Sequence, residues 1–322
     1  MLALLLAFLA GLLLPRVLPW VVRRCTQSRP KELYDDADAL LLNLEKPQTR
    51  WFNMGFWTRG GNEPFAEAAA EHCRRVALAA QLKPGQRVLE VGYGSGDSTL
   101  LLAKEFSPSS YIGFTSLPGQ QAFAAKRAEA ADLSSPQFRL LQGDAARCLS
   151  ALPPSSVDAV LAVDCAFHFS PRRAFLSSAL PLLSPSPTSR LALSDLVLPP
   201  TPLSLLDTVL LRLLCLAANL PWGNMLTPAQ YRARLVELGY DERSIEMEDI
   251  SERVWPGFLE FVERRERELG GVLDKSKWGG LRAYAKVVRW YSGYGGGRSR
   301  LRFYLIAAGK TAGGAEEGKK QQ

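Results

Sequence analysis

The chain has 322 residues, 47% of them apolar and 22% charged, and 39 Lys and Arg against 32 Asp and Glu give a formal charge of +7. Those proportions are ordinary for a protein that folds in water, and the length suits one large domain or a domain with a cap. Five scattered cysteines (Cys25, Cys73, Cys148, Cys165, Cys215), two histidines and no C-x-x-C pair argue against a disulfide framework or a zinc site and fit a reducing compartment.

The first residues depart from that average. Met1–Leu14 is almost entirely Leu, Ala and Phe, and the apolar run continues through Val17-Leu18-Pro19-Trp20-Val21-Val22 to Arg23-Arg24. Through Val22 it is long enough to span a bilayer. A cleaved secretory signal would want a basic start and a small-residue cleavage site, and neither is clear. Residues 1–24 therefore read as a membrane anchor. Either Arg23, Arg24 and Lys31 hold the following domain in the cytosol, or Pro15, Arg16 and Pro19 break the run into a hairpin-like or interfacial insertion. The endoplasmic reticulum is one candidate membrane.

Glu32–Glu45 reads as a helix, followed by the aromatic loop Trp51-Phe52-Asn53-Met54-Gly55-Phe56-Trp57. A long helix over Pro64–Leu82 ends at Lys83-Pro84-Gly85. Strands are expected at Arg87–Val91, Tyr111–Phe114, Phe138–Leu141, Val157–Val163 and Arg190–Leu193, with helical segments such as Thr99–Lys104 and Gln120–Ala131 between them. Such alternation indicates an α/β fold with a parallel sheet covered on both faces. Leu198–Gly297 breaks the rhythm with an apolar helix (Leu203–Leu220), a helix at Pro228–Leu238, and a stretch carrying Trp255, Phe258, Phe261, Trp278, Tyr284, Trp290, Tyr291 and Tyr294. Arg302–Ala307 reads as a last strand, and the tail from Thr311 as disordered.

The first strand carries the most informative pattern, Val88-Leu89-Glu90-Val91-Gly92-Tyr93-Gly94-Ser95-Gly96-Asp97. A strand, a turn open to close backbone approach and a helix N-terminus follow one another. The spacing is not the G-x-G-x-x-G of dinucleotide sites, and Asp97 would repel a diphosphate. It resembles the first motif of class I S-adenosylmethionine-dependent methyltransferases, in which Glu90, Gly92, Gly94 and Gly96 correspond to cofactor-binding positions. The resemblance runs from about Tyr34 to Lys310 and implies a Rossmann-like, seven-stranded sheet whose last strand inserts antiparallel beside the fifth. It divides the chain into the anchor 1–24, a cofactor-binding core 32–197, a helical and aromatic cap 198–297, the last strand 298–310 and the tail 311–322.

Tyr34-Asp35 with Asn53-Met54-Gly55-Phe56-Trp57 is similar to the N-terminal segment of the sterol, tocopherol, phosphoethanolamine and cyclopropane fatty-acid groups, with Asn53 replacing a histidine. The resemblance implies Tyr34 and Trp57 near the sulfonium, where ring faces attract a cation; Trp57 could equally staple the N-terminal helix to the core. Gly113-Phe114-Thr115-Ser116-Leu117-Pro118-Gly119-Gln120 matches a segment of the same groups and implies ribose contacts from Thr115 and Gln120. Asp144 and Ala145 correspond to the adenine position, while Asp144 also suits a helix N-cap. Asp164 and His168 follow the fourth strand, where ligands sit in open sheets. His168 is the candidate base or substrate-orienting group, with a structural role as its alternative, and Asp164 is read as positioning the cofactor or His168.

Methyl transfer from S-adenosylmethionine needs no metal, and none is expected. The apolar Leu203–Leu220 helix would form a dry wall, an ordinary buried helix or one lying on a membrane. Three activities follow: methylation of a hydrophobic small molecule (lipid, sterol or quinone-like) at a membrane, methylation of a polar amine or phosphobase, or a non-catalytic cofactor-binding scaffold. Between Arg264 and Lys310, twelve Lys and Arg stand against three acids, which suits either an anionic membrane surface or a solvated basic face. No nucleic-acid motif accompanies that charge, and oligomeric state leaves no mark on the sequence.

Overall fold

A computed structural model describes residues 41–133, 135–269 and 278–310. The expected anchor 1–24, Tyr34 and the tail from Thr311 lie outside the described residues, as does most of the helix expected over Glu32–Glu45, whose described part is helical only at 41–42. Among the described residues no helix is long and apolar enough to cross a membrane.

Sixteen principal elements follow in order: α1 (Phe65–Ala79), β1 (Arg87–Val91), α2 (Asp97–Phe106), β2 (Ser110–Thr115), α3 (Pro118–Ala130), β3 (Phe138–Gln142), α4 (Ala145–Cys148), β4 (Ala159–Ala162), α5 (Arg172–Ala179), β5 (Arg190–Val197), α6 (Leu205–Ala217), α7 (Pro228–Glu237), β6 (Glu246–Asp249), α8 (Ser251–Leu269), α9 (Gly279–Ser292) and β7 (Arg302–Gly309). The strands form one seven-stranded sheet in the order β3-β2-β1-β4-β5-β7-β6. The first five strands run parallel, and β7 runs antiparallel to both β5 and β6. The order reverses between β1 and β4, which register Leu89 against Val160. In open α/β sheets the crevice at that reversal, beyond the strand ends, is where ligands bind.

Alternation along the strands feeds two buried clusters. Ala159 and Leu161 of β4 join Val88, Ala192 and Phe303 in a cluster with α1, α6, α8 and α9 residues. Val160 and Ala162 join Leu89, Leu193 and Ile306 in a cluster with α5 and α7 residues. The period of two sends successive side chains to opposite faces, and helices cover both.

The resemblance implied seven strands, and β6 is the one whose place the sequence pattern did not mark. Its sequence, Glu-Met-Glu-Asp, has little strand character and is mostly exposed; it forms because the far edge of β7 offers a ladder, and Arg190 from β5 holds Glu246 at 2.8 Å. The ion pairs also revise the charge pattern. Arg264, Arg265, Arg282, Arg289, Arg300 and Arg302 pair with Glu45, Glu268, Glu266, Glu263, Asp207 and Asp249. Most of those acids lie outside the basic window, so the fold offsets much of the charge excess that the sequence shows there.

One polar cluster sits within this core. Arg172 and Asp195 are 2% and 0% exposed and meet at 2.5 Å. Arg172→Ala is expected to lower unfolding free energy by about 3–5 kcal/mol, because it leaves a buried carboxylate without its countercharge. Urea unfolding read from tryptophan emission checks it.

Candidate active site

The turn Gly92–Gly96 links β1 to α2. At Gly92 (φ 78°) an added Cβ would lie 2.5 Å from Cys165 Sγ, so the loops after β1 and β4 touch there. Gly96 is the left-handed N-cap of α2, and Ala124 of α3 stands 2.9 Å from where its Cβ would be. Gly94, between them, meets Phe52 alone among the described residues, at 3.2 Å from where its Cβ would be. Packing thus dictates the outer two glycines, while the middle one stands on the open side. Arg127 from α3 clamps the turn by donating to both oxygens of Asp97 (2.7 and 2.8 Å) and to the Ser95 carbonyl at 2.9 Å.

Glu90 lies beneath the turn, 1% exposed. Tyr111 donates to its Oε2 through a short bond, and Tyr111 in turn shares a 2.9 Å hydrogen bond with Thr99. Burial pushes the Glu90 carboxyl up to about 7, with hydrogen bonds from Ser98 and Tyr111 opposing that rise. At the end of β2, Thr115 donates to Gln120 at 2.8 Å, so these two predicted residues are brought together. After β3, Asp144 accepts from the Ala146 N–H at 2.9 Å and caps α4, and its side chain remains 47% exposed. Capping engages Oδ1, and Oδ2 faces Arg147 at 3.5 Å.

Past β4, Asp164 adopts φ 52°, a left-handed conformation costing a non-glycine residue about 1–2 kcal/mol. It is held there by its N–H donating to Ser194 Oγ at 2.9 Å and its Oδ2 accepting from the Met54 N–H at 2.7 Å. Its Oδ1 is buried with no partner among the described residues. Burial pushes this carboxyl well above the usual range, and the charge of Asp195 adds to the rise. His168 ends a short 3-10 turn and packs on Phe167 with ring centroids 4.5 Å apart. Burial lowers its pKa to about 4, so the imidazole is neutral at physiological pH. No hydrogen bond joins Asp164 to His168, so a direct positioning of one by the other is not realised.

What fixes the His168 turn is a set of residues that the sequence did not single out. Asn224 donates to the carbonyls of Phe167 (3.0 Å) and Phe169 (2.7 Å), flanking His168. Arg172 donates to the Asn224 carbonyl and to Asp195, and Tyr231 donates to Asp195 at 2.9 Å. No spacing rule marks these four residues, because they come from α5, β5, a 3-10 turn and α7.

Trp57 is a packing residue, as the second of its two expected roles had it. It is 2% exposed, packs on Phe65 and Phe261, donates to the Met54 carbonyl at 2.9 Å and fills the space that a side chain at Gly257 would need. It staples the loop onto α1 and α8, and Phe52 is the aromatic residue over the glycine turn. Asn53 is likewise structural, donating to Ala69 O at 3.1 Å. Met54 joins this loop to a further aromatic group: Tyr284 donates to its Sδ at 3.2 Å, and Tyr291 packs edge-on against Trp255, 5.2 Å between centroids.

Residues 88–186 match the family model described as a methyltransferase domain. Over those residues the chain carries a methyltransferase domain of the S-adenosylmethionine-dependent kind. It is 25% identical over 225 residues to the erythromycin 3''-O-methyltransferase of Saccharopolyspora erythraea, covering 67% of this chain and 69% of that one. Among solved structures it resembles the [4+2]-cyclase SpnF (22% identity, TM-score 0.64, 86% of this chain and 94% of that one). It also resembles Haemonchus contortus phosphoethanolamine N-methyltransferase 2 in complex with S-adenosyl-L-methionine (18%, TM-score 0.60, 76% and 53%). Likenesses this distant establish a shared fold, and a fold can host more than one reaction.

The methyl donor is S-adenosylmethionine, and the residues fit it. The open side of the turn at Gly94, the Thr115–Gln120 pair, Asp144 with the Ala145 backbone, and the unpartnered Asp164 Oδ1 stand at the ends of β1, β2, β3 and β4. Gly94→Arg is expected to abolish cofactor binding in calorimetry while leaving the fold intact by circular dichroism.

Glu90 sets a pH dependence. Its folded pKa of about 7 exceeds the ordinary 4.5, so the stability it confers is complete below about pH 4.5 and lost as pH rises through 7. The shift corresponds to about 3 kcal/mol. Relative to the native chain, Glu90→Gln is expected to gain stability between pH 5 and pH 8, read as urea midpoints at the two pH values.

Proposed function

We propose that this chain transfers a methyl group from S-adenosylmethionine to a hydrophobic small molecule of the lipid, sterol or quinone-like class, at a membrane surface. The observation that carries the reading is the apolar packing of Phe167, which follows β4 and lies against His168. Phe167, Leu211, Met225, Trp255 and Tyr291 belong to one continuous buried cluster.

Polarity at that end supports the same acceptor class. The bound cofactor supplies an electrophilic methyl on a sulfonium, and the protein must align the acceptor and exclude water. His168 is neutral, and burial favours the protonated carboxyl of Asp164. A cationic amine would gain most from an ionised carboxylate, which this environment disfavours. The relative named for O-methylation of erythromycin adds support for a small-molecule hydroxyl acceptor. For a hydroxyl, His168 would take the proton. Its low pKa keeps it in the accepting form but makes it a weak base, so alignment contributes more than proton transfer.

With methyl-labelled cofactor and a membrane lipid extract, label is expected in organic-phase products rather than in ethanolamine-type bases. Label confined to water-soluble amines would overturn the reading. His168→Ala is expected to lower kcat about tenfold, below the usual hundredfold or more of general-base effects, with cofactor affinity unchanged.

A further inference from the structure

α6 has two apolar faces. Leu211 and Cys215 are buried, within the same cluster as Phe167, Met225, Trp255 and Tyr291. On the outside, Leu205, Leu206, Val209, Leu213 and Leu216 are 82, 55, 46, 57 and 69% exposed. At 3.6 residues per turn these five fall within an arc of about 100°. A contiguous aliphatic stripe of this kind is uncommon on a protein surface without a partner.

The rim of the stripe indicates which partner. Arg212 lies 4.9 Å over the Trp222 ring, and Arg300 lies 4.7 Å over Trp290. Arg298 donates to the Pro202 carbonyl just before the helix. Asp207, the helix's one acid, is occupied by Arg300 at 2.6 Å. Arg212 and Arg298 are exposed and form no direct ion pair among the described residues, although Arg298 stands near enough to Asp207 to lower its pKa. Leucines bordered by tryptophan and unpaired arginine, with no free acid, match a helix lying at an anionic bilayer interface. Protein interfaces place aromatic and arginine anchors at the centre instead. The chain also opens with the apolar tract Met1–Val22, a second element suited to lipid.

We infer that α6 is a membrane-contacting helix, its outer leucines among the acyl chains of an anionic lipid surface and Arg212 and Arg298 at the headgroup phosphates. The use of that contact rests on the proposed hydrophobic acceptor. Such an acceptor leaving the bilayer would meet α6, whose inner residues belong to the cluster beside His168.

The test is amide hydrogen exchange of the full chain, with and without vesicles of phosphatidylcholine containing about a third phosphatidylserine. Amides over 205–217 are expected to slow on adding vesicles and to recover at high salt. Leu213→Glu/Leu216→Glu, both at exposed positions, is expected to lose that protection and to partition into vesicles at least about tenfold less. It should bind S-adenosylmethionine as the native chain does. Four results would overturn the inference. The protein does not bind vesicles, or it binds them with α6 exchange unchanged. Alternatively, α6 is protected at every dilution without lipid, because residues 1–22 cover it, or its protection rises with protein concentration, because a second copy does. Methyl transfer to detergent-dispersed hydrophobic acceptors, measured in parallel, separates the two ideas: transfer without α6 protection leaves the function and removes the membrane helix, and protection with transfer only to amines does the reverse.

Discussion

The buried pair of Arg172 and Asp195 is the constraint on which the substrate side of this molecule depends. Two full charges so far from water are tolerable only when each is extensively hydrogen bonded. Asp195 takes Arg172, the Tyr231 hydroxyl and the Leu196 N–H, while Arg172 also donates to the Asn224 carbonyl and lies 4.3 Å over the Tyr231 ring. Meeting those demands fixes α5, β5, α7 and the turn at Asn224 relative to one another. Asn224 passes that order on through two hydrogen bonds to the backbone on either side of His168. The histidine is therefore placed by its own main chain and by Phe167, rather than by a carboxylate on its ring.

The same buried charge acts on the chemistry. Asp195 raises the pKa of Asp164 beyond what burial does, and it also helps hold the Cys165 thiol protonated. Asp164 is left with its protonated form favoured and with one buried oxygen unpartnered among the described residues. An electrostatic device needed for folding thus also acts on the carboxyl that follows β4. On the cofactor side the organisation is different. There the turn after β1 is shaped by steric contact with Cys165 and Ala124 and by the Arg127 clamp, and Glu90 lies below it as a buried, hydrogen-bonded carboxyl.

α6 joins the interior to the surface. Its inner residues complete the buried cluster next to His168, and its outer leucines face outward under a border of arginine and tryptophan. An ordinary buried helix would hide both faces, and a helix at the edge of a soluble protein would carry polar residues outside. Exposure of the outer face distinguishes these cases, and the sequence could not, since an all-round apolar helix reads alike in each.

The sequence by itself determined the parallel core. Period-two and helical patterns placed β1 to β4 within a residue or two and the start of β5, which runs four residues beyond its expected end, because alternation of local hydrophobicity is what strands and amphipathic helices require. The glycine spacing marked the turn after β1 for the same local reason, since it records backbone conformation and close approach. Only the tertiary structure decided the rest. Glu246–Asp249 is a strand because β7 offers it an edge, Trp57 is a staple because Gly257 leaves room for its indole, and Arg172, Asn224 and Tyr231 support His168 from segments far apart in the chain. The charge excess near the C-terminus is largely offset by acids that lie elsewhere in sequence. Each of these depends on contacts between distant segments, which local composition and spacing do not encode.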